Sequence, residues 1–160
     1  MIFRFKATFS ERPEFAREYE VDAEQTLYDF HHFIQTDLDY DEAQPVLFST
    51  ANAKWEAERE FSLFGNADSE PMDEVSVGSL VRAKNHRLLY TFDVLNDRSL
   101  RLELLEMQEP LPRVRYPRTA SESGEAPVQI GTSSDSTSSI FDQAMPDFDA
   151  NLYAASGGDD

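Results

Sequence analysis

The fold of this chain is decided by two alternating segments, Arg87-Leu-Leu-Tyr-Thr-Phe-Asp-Val94 and Ser99-Leu-Arg-Leu-Glu-Leu-Leu-Glu106. One face of each segment is apolar, formed by Leu88, Tyr90 and Phe92 in the first and by Leu100, Leu102 and Leu104 in the second. Alternation with period two is typical of strands that bury one face. The connection, residues 95–98, contains Asn96 and Asp97, which favour turns. The pattern predicts a β-hairpin, here called the late hairpin.

The residues before the late hairpin predict further strands and one helix. Residues 1–9 and 16–22 alternate in the same way and predict a first hairpin around Pro13. Thr26 and Asp29 have the spacing of a capping box at a helix start. The apolar face of that helix then follows helical spacing, with Leu27, Phe30, His31, Ile34 and Leu38. Shorter strands are predicted at residues 46–50 and 60–64, and a brief turn or short helix at residues 76–80.

Runs of strands with one central helix predict the α+β class. We expect a mostly antiparallel sheet with one main helix packed on a face. The patterned region, residues 1–118, is long enough for a single domain with an ordinary core. We therefore predict one α+β domain over residues 1–118.

The residues after Arg118 have a different composition. All 14 Lys and Arg residues lie within residues 1–118, whereas residues 119–160 contain eight acids and a Ser-rich run. This composition predicts a disordered, acidic C-terminal tail. Phe141, Met145, Phe148 and Leu152 form a helical stripe that Pro146 interrupts. Such a stripe is typical of a segment that folds on a protein partner, although a featureless tail and a tail packed on its own sheet remain open.

The net charge and the composition indicate which kinds of partner the chain can bind. The net charge is −17, of which residues 1–118 contribute −9. An acidic surface repels phosphate, which argues against direct nucleic-acid binding and favours a neutral partner, a basic partner or a cationic ligand. The charge could also serve solubility alone. The chain has no cysteine, no apolar run of signal-peptide length and no membrane-spanning run. We expect a soluble, cytoplasmic monomer without a cofactor.

Two pairs of residues have side chains suited to a metal-binding or acid–base site. His31 and His32 are adjacent, so on a helix their rings diverge by about 100° and cannot bind one metal ion together. Asp93 and Asp97 bracket the late turn, where paired carboxylates could act as acid and base or hold a divalent ion. The structural alternative is that Asn96 and Asp97 form the turn, while Asp93 accepts backbone hydrogen bonds. If the domain has a site, we expect it at Asp93 and Asp97, with His31 as a neighbour.

Several landmarks give the chain a resemblance to a known family. The run Thr26-Leu-Tyr-Asp-Phe-His-His-Phe-Ile-Gln35 is similar to the first helix of the plasmid pRiA4b ORF-three-like proteins. The similarity continues through Leu47-Phe48-Ser49 and Trp55 to Tyr90-Thr-Phe92-Asp93. It ends with Tyr116-Pro117-Arg118 and Ser123-Gly124-Glu125-Ala126-Pro127, so it covers roughly residues 1–130, in the same order as in the family. The resemblance implies an α+β fold and association with mobile elements, but no established activity.

The late hairpin departs from that family pattern. Typical members carry Tyr-Asp-Phe-Gly-Asp with a Trp soon after, whereas this chain has Phe92-Asp93-Val94-Leu95-Asn96-Asp97. Gly and Trp are missing and the turn is one residue longer. Whatever the family uses that Trp for is therefore in doubt here.

The sequence contains no Gly-rich phosphate loop and no hydrolase elbow motif. Our leading hypothesis is a non-enzymatic protein-interaction domain that uses the tail residues Phe141 and Phe148. The alternative is a metal-dependent hydrolase-like enzyme that uses the carboxylates of the late hairpin. A third hypothesis is an acidic mimic of nucleic acid that occupies the groove of a basic protein.

Overall fold

The late hairpin lies in the middle of an eight-stranded sheet in the computed structural model, which describes residues 1–129. The described strands are β1 (Ile2–Thr8), β2 (Ala16–Asp22), β3 (Leu47–Ala51), β4 (Ala57–Ser62), β5 (Glu70–Pro71), β6 (Arg87–Asp93), β7 (Arg98–Gln108) and β8 (Arg118–Ser123). Their order across the sheet is β5-β4-β3-β6-β7-β1-β2-β8. Both hairpins predicted from alternation are confirmed, because β1 pairs with β2 and β6 pairs with β7.

The sheet is mixed rather than purely antiparallel. Among the described residues, β5 runs parallel to β4, and every other pairing is antiparallel. β7 pairs with β6 on one side and with β1 on the other, so it joins the two hairpins. This pairing makes the late hairpin central and leaves β5 and β8 as the described edges of the sheet.

One main helix, α1 (Leu27–Leu38), covers one face of the sheet. The predicted capping box is present, because the Asp29 N–H donates to Thr26 Oγ1 (3.1 Å) and the Thr26 N–H donates to Asp29 Oδ2 (3.0 Å). Phe30 packs against Phe5 and Phe48, with ring centroids 5.5 and 5.7 Å apart. A 3-10 turn (Met72–Glu74) and a short helix, α2 (Val77–Leu80), complete this layer.

The core lies between α1 and the sheet. The predicted inner faces of β6 and β7 are both buried, with relative exposures of 0–1% for Leu88, Tyr90, Phe92, Leu100, Leu102 and Leu104. On the opposite face of the central strands, Lys6 is exposed and Leu89 and Arg101 are half-buried, whereas Thr91 is buried. The sheet therefore has one covered and one open face, as predicted for an α+β domain.

The last described strand extends the body beyond the predicted domain end. β8 begins at Arg118, where the sequence placed the boundary, and Thr119–Ser123 pairs with β2. The described compact unit continues to Gln129. The predicted contacts of Phe141 and Phe148 lie outside the described residues. Within residues 1–129, no helix is long and apolar enough to cross a membrane.

Candidate functional site

Asp93, the first residue predicted for a site, lies at the end of β6 and is buried. Its carboxylate accepts hydrogen bonds from the Asn96 side chain (3.0 Å) and from Arg98 Nη1 (3.4 Å). Arg98 Nη1 also donates to the carbonyl of Val128 at 2.7 Å. Asp93 therefore braces the late turn and, through Arg98, joins it to the end of the described chain.

Asp97, the second predicted site residue, is exposed in the same turn. Its φ of 52° lies in the left-handed region, which Asp and Asn adopt more readily than most other residues. Its N–H donates to the carbonyl of Val94 at 3.3 Å. These contacts give Asp97 a turn-forming role, the structural alternative considered from the sequence.

Within residues 1–129, no group of three or more His, Asp or Glu side chains is arranged to hold a metal ion. The groups that donate hydrogen bonds to Asp93 include the Asn96 side-chain amide and the Arg98 guanidinium. The Arg98 guanidinium already supplies the positive charge beside Asp93 that a bound metal ion would supply. The arrangement fits a turn brace better than a two-carboxylate metal site.

His31, the third predicted site residue, is on the buried face of α1. Its Nδ1 lies 2.8 Å from the hydroxyl of Tyr90 on β6. Burial, together with a smaller effect of His32, lowers the pKa of His31 to about 4, so the imidazole is neutral at pH 7. Burial also raises the pKa of Tyr90, which keeps its phenol protonated. His32 is exposed on the neighbouring helix face, as the diverging rings predicted.

His31 also lines a cavity of about 450 Å³ between three connections, here called the loop groove. The α1–β3 loop contributes Val46, the β4–β5 loop contributes Leu63 and Phe64, and the late turn contributes Val94. The lining is mainly apolar, and its polar side chains include His31, Glu42 and Gln44. An imidazole with a pKa of about 4 is a weak general base at pH 7, so its chemistry here is hydrogen bonding.

Large apolar side chains stand exposed beside the loop groove. Phe64, in its wall, is 87% exposed, and Leu95, which follows Val94, is 92% exposed. Neither residue follows from the sequence pattern as a site residue. The sequence gives only a weak indication that these two side chains are exposed. Phe64 interrupts the alternation of Phe61 and Leu63 immediately before Gly65, and Leu95 is an apolar residue among turn formers.

Comparison with known proteins supports the resemblance found in the sequence. The family model described as plasmid pRiA4b ORF-3-like protein matches residues 2–133. A crystal structure of a protein of unknown function from Methanosarcina mazei Go1 is similar, with a TM-score of 0.68 and 14% identity over 91% of this chain and 84% of the other. At that identity the likeness concerns the fold alone. No curated protein matches the chain.

Proposed function

We propose a non-enzymatic protein-interaction role for this chain, which belongs to the plasmid pRiA4b ORF-3-like protein family. The observation that carries the proposal is the loop groove with Phe64 and Leu95 exposed beside it. An aromatic side chain that stands exposed in the wall of a mainly apolar cavity is typical of a partner-binding surface. The groove volume of about 450 Å³ accommodates one or two large side chains of a bound peptide.

The charge around the loop groove suggests what kind of segment it accepts. Glu42 lines the groove, and Asp39 and Asp41 precede it in the same connection. Residues 1–118 carry a net charge of −9. We expect a partner segment that places a large apolar residue in the groove and carries Lys or Arg beside it, because such charges complement the acidic loop.

A peptide selection tests this proposal. The full chain would be used to select from a phage-displayed library of random peptides, and selected sequences would be synthesised and measured by fluorescence anisotropy. We expect peptides with an aromatic or aliphatic anchor flanked by basic residues. Phe64→Ala should weaken their binding at least tenfold, since interface anchors of this type contribute about 2 kcal/mol or more.

The matched control is Leu111→Ala, which removes another exposed apolar side chain, outside the loop groove. It should leave the affinity unchanged. Both side chains are more than half exposed, so neither variant should affect folding by more than about 0.5 kcal/mol. If no peptide is selected, or if both variants weaken binding equally, the groove proposal is wrong.

The acidic tail is the second part of the proposal and rests on the sequence alone. Phe141 and Phe148 are spaced among acids, a pattern that favours binding to a basic partner. The double variant F141S/F148S belongs in the same anisotropy measurements. Loss of affinity in this variant but not in Phe64→Ala would place the interaction in the tail rather than in the groove.

The hydrolase-like alternative requires Asp93 and Asp97 to hold a divalent ion. If they do, Mg²⁺, Mn²⁺ or Zn²⁺ should raise the melting temperature of the native chain and not that of Asp93→Asn. The hydrogen bonds from Asn96 and Arg98 to Asp93 support the structural role instead. We therefore favour the interaction role over the enzymatic one.

A further inference from the structure

A second cavity, of about 380 Å³, lies where β3 ends and β6 begins. It is here called the strand-end cavity, and its volume is in the range of small-molecule sites. Three consecutive residues that can donate hydrogen bonds line it: Asn85, His86 and Arg87. Leu80 and Ala53 provide apolar wall, and Glu58 is the one acid among the lining residues described.

The Arg87 guanidinium is held in place from two sides. Its Nη1 donates to the carbonyl of Ala53 at 2.5 Å, and its central carbon lies 4.5 Å from the centre of the Trp55 ring. Its Nη2 also lies 3.7 Å from Glu103. Arginine has five N–H donors, so most remain available after these contacts. A fixed guanidinium loses little conformational entropy when it binds an anion.

The turn that carries Trp55 is itself strained. Trp55 has a φ of 63°, in the left-handed region that bulky residues rarely adopt. Asn52 Oδ1 holds the turn by accepting from the N–H groups of Lys54 (2.8 Å) and Glu56 (3.0 Å). The Arg101 guanidinium carbon lies 5.2 Å from the same ring. One aromatic ring therefore contacts two guanidinium groups, of which that of Arg87 belongs to a residue that lines the cavity.

His86 adds a donor whose direction is set by the backbone. Its Nδ1 accepts a hydrogen bond from the Arg82 N–H at 3.0 Å, so that nitrogen carries no proton. The proton of the neutral ring is therefore on Nε2, which donates. Asn85, with a φ of 72°, contributes the third donor from a left-handed position. Asn85, His86 and Arg87 therefore bring three side chains with hydrogen-bond donors to one part of the cavity wall.

We propose that the strand-end cavity binds a small organic monocarboxylate. Arg87 would bind the carboxylate, with Asn85 and His86 as further donors, and the apolar body of the ligand would contact Leu80. A single compact charge fits better than a polyanion, because Glu58, Glu103 and the net charge of −17 repel phosphate chains and nucleic acids. This site is independent of the loop groove.

Backbone amide NMR of the full chain tests the proposal, with benzoate as the probe. Benzoate should produce saturable shifts of the Ala53, Asn85 and His86 amides. Benzamide, its neutral counterpart, should bind at least tenfold more weakly, because it lacks the charge that Arg87 recognises. Inorganic phosphate and a short DNA oligonucleotide serve as competing anions and should not displace benzoate.

Two variants separate binding from folding. Arg87→Gln removes the cation and should weaken benzoate binding at least tenfold. Asn85→Gly removes one donor while glycine keeps the left-handed backbone, and we expect about threefold weakening. Arg113→Gln, which removes a cation outside the cavity, is the matched control. Equal binding of benzoate and benzamide, displacement by phosphate or DNA, or absence of saturable shifts would each overturn the proposal.

Discussion

At the scale of single residues, His31 lies on the buried face of α1 and has an unusually low pKa. The apolar spacing of α1 places the ring on the buried side, where its partner is the hydroxyl of Tyr90. Burial lowers the pKa of His31 to about 4, well below the value near 6.5 of an exposed imidazole. Between about pH 4 and pH 6.5, the His31 imidazole is therefore mostly protonated in the unfolded chain and mostly neutral in the folded protein.

This difference predicts a pH dependence of stability. The pKa is lower in the folded state, so stability is complete above pH 6.5 and falls as the pH drops towards 4. Between pH 7 and pH 5 the free energy of unfolding should decrease by about 2 kcal/mol because of His31 alone. Urea denaturation of the wild type and of His31→Gln at both pH values measures this, and the variant should lose correspondingly less stability.

His32→Gln is the matched control for this experiment, because the exposed neighbour is replaced while the His31 ring stays in place. It should retain nearly the whole pH dependence, since His32 makes only a secondary contribution to the lowered pKa of His31. An identical loss of stability in the wild type and in His31→Gln would show that the buried ring does not titrate as we expect.

Sequence alone predicted the roles of some residues better than those of others, because spacing shows local contacts and not distant ones. The capping pair Thr26 and Asp29 is separated by three positions, so its hydrogen bonds are a local property that spacing reveals. The partners of Asp93 include Arg98, which also donates to the carbonyl of Val128, 30 positions further along the chain. Whether a carboxylate braces a turn or binds a ligand depends on such distant contacts, which spacing does not show.

At the scale of elements, edge strand β8 is attached by charges as well as by backbone pairing. Glu20 on β2 is 2% exposed and accepts from Arg118 Nη1 at 2.6 Å. It also accepts from Arg4 Nη1 at 3.3 Å and from Gln108 Nε2 at 3.4 Å. One buried carboxylate therefore holds side chains from β1, β7 and β8 on the open face of the sheet.

We expect Glu20→Gln to loosen β8. The amide cannot replace the charge-assisted hydrogen bonds, and its NH₂ group would face guanidinium donors, so the loss should be about 1–3 kcal/mol. Hydrogen exchange should show faster exchange of the Arg118–Ser123 amides, with the central β6 and β7 amides affected much less.

Glu18→Gln is the matched control, since Glu18 is on the same strand and face but is more exposed and pairs with Arg4. Its effect should stay within about 1 kcal/mol, the range of surface ion pairs. If β8 exchanges at the same rate in wild type and Glu20→Gln, backbone pairing alone holds the strand.

The elements missed from the sequence share a cause. β5 has two residues and β8 follows a proline-containing arm, so neither shows the alternation that identified β1, β2, β6 and β7. β8 is also rich in small polar residues that resemble the Ser-rich region after it. Edge strands often lack a strong apolar pattern because their burial is partial, and only their pairing partners reveal them.

At the scale of the whole molecule, residues after Arg118 close one side of the described body. Side chains and carbonyls between Thr119 and Gln129 meet α1, the loop after it and β7. Thr119 donates to Asp37 at 3.0 Å, and the Tyr40 hydroxyl donates to the carbonyl of Pro127 at 2.6 Å. The body therefore depends on residues that composition alone assigned to the tail.

A truncation series tests this dependence. A chain that ends at Arg118 loses nearly all of β8 and leaves the buried hydroxyl of Tyr40 without its acceptor. We expect its free energy of unfolding to fall by at least about 3 kcal/mol, because several hydrogen bonds of about 1 kcal/mol each disappear and a buried donor loses its partner. Urea denaturation of the chain that ends at Arg118 and of the chain that ends at Gln129, both at one pH, measures this difference in the free energy of unfolding.

The chain that ends at Gln129 is the matched control, since it keeps every one of those contacts. If its body amide spectrum matches that of the full chain while the chain ending at Arg118 shows widespread shifts, the folded body ends near Gln129. If instead the chain ending at Arg118 is as stable as the full chain, β8 and the contacts after it are dispensable. The boundary would then lie where the charge pattern placed it, and the interaction segment would include residues 119–129.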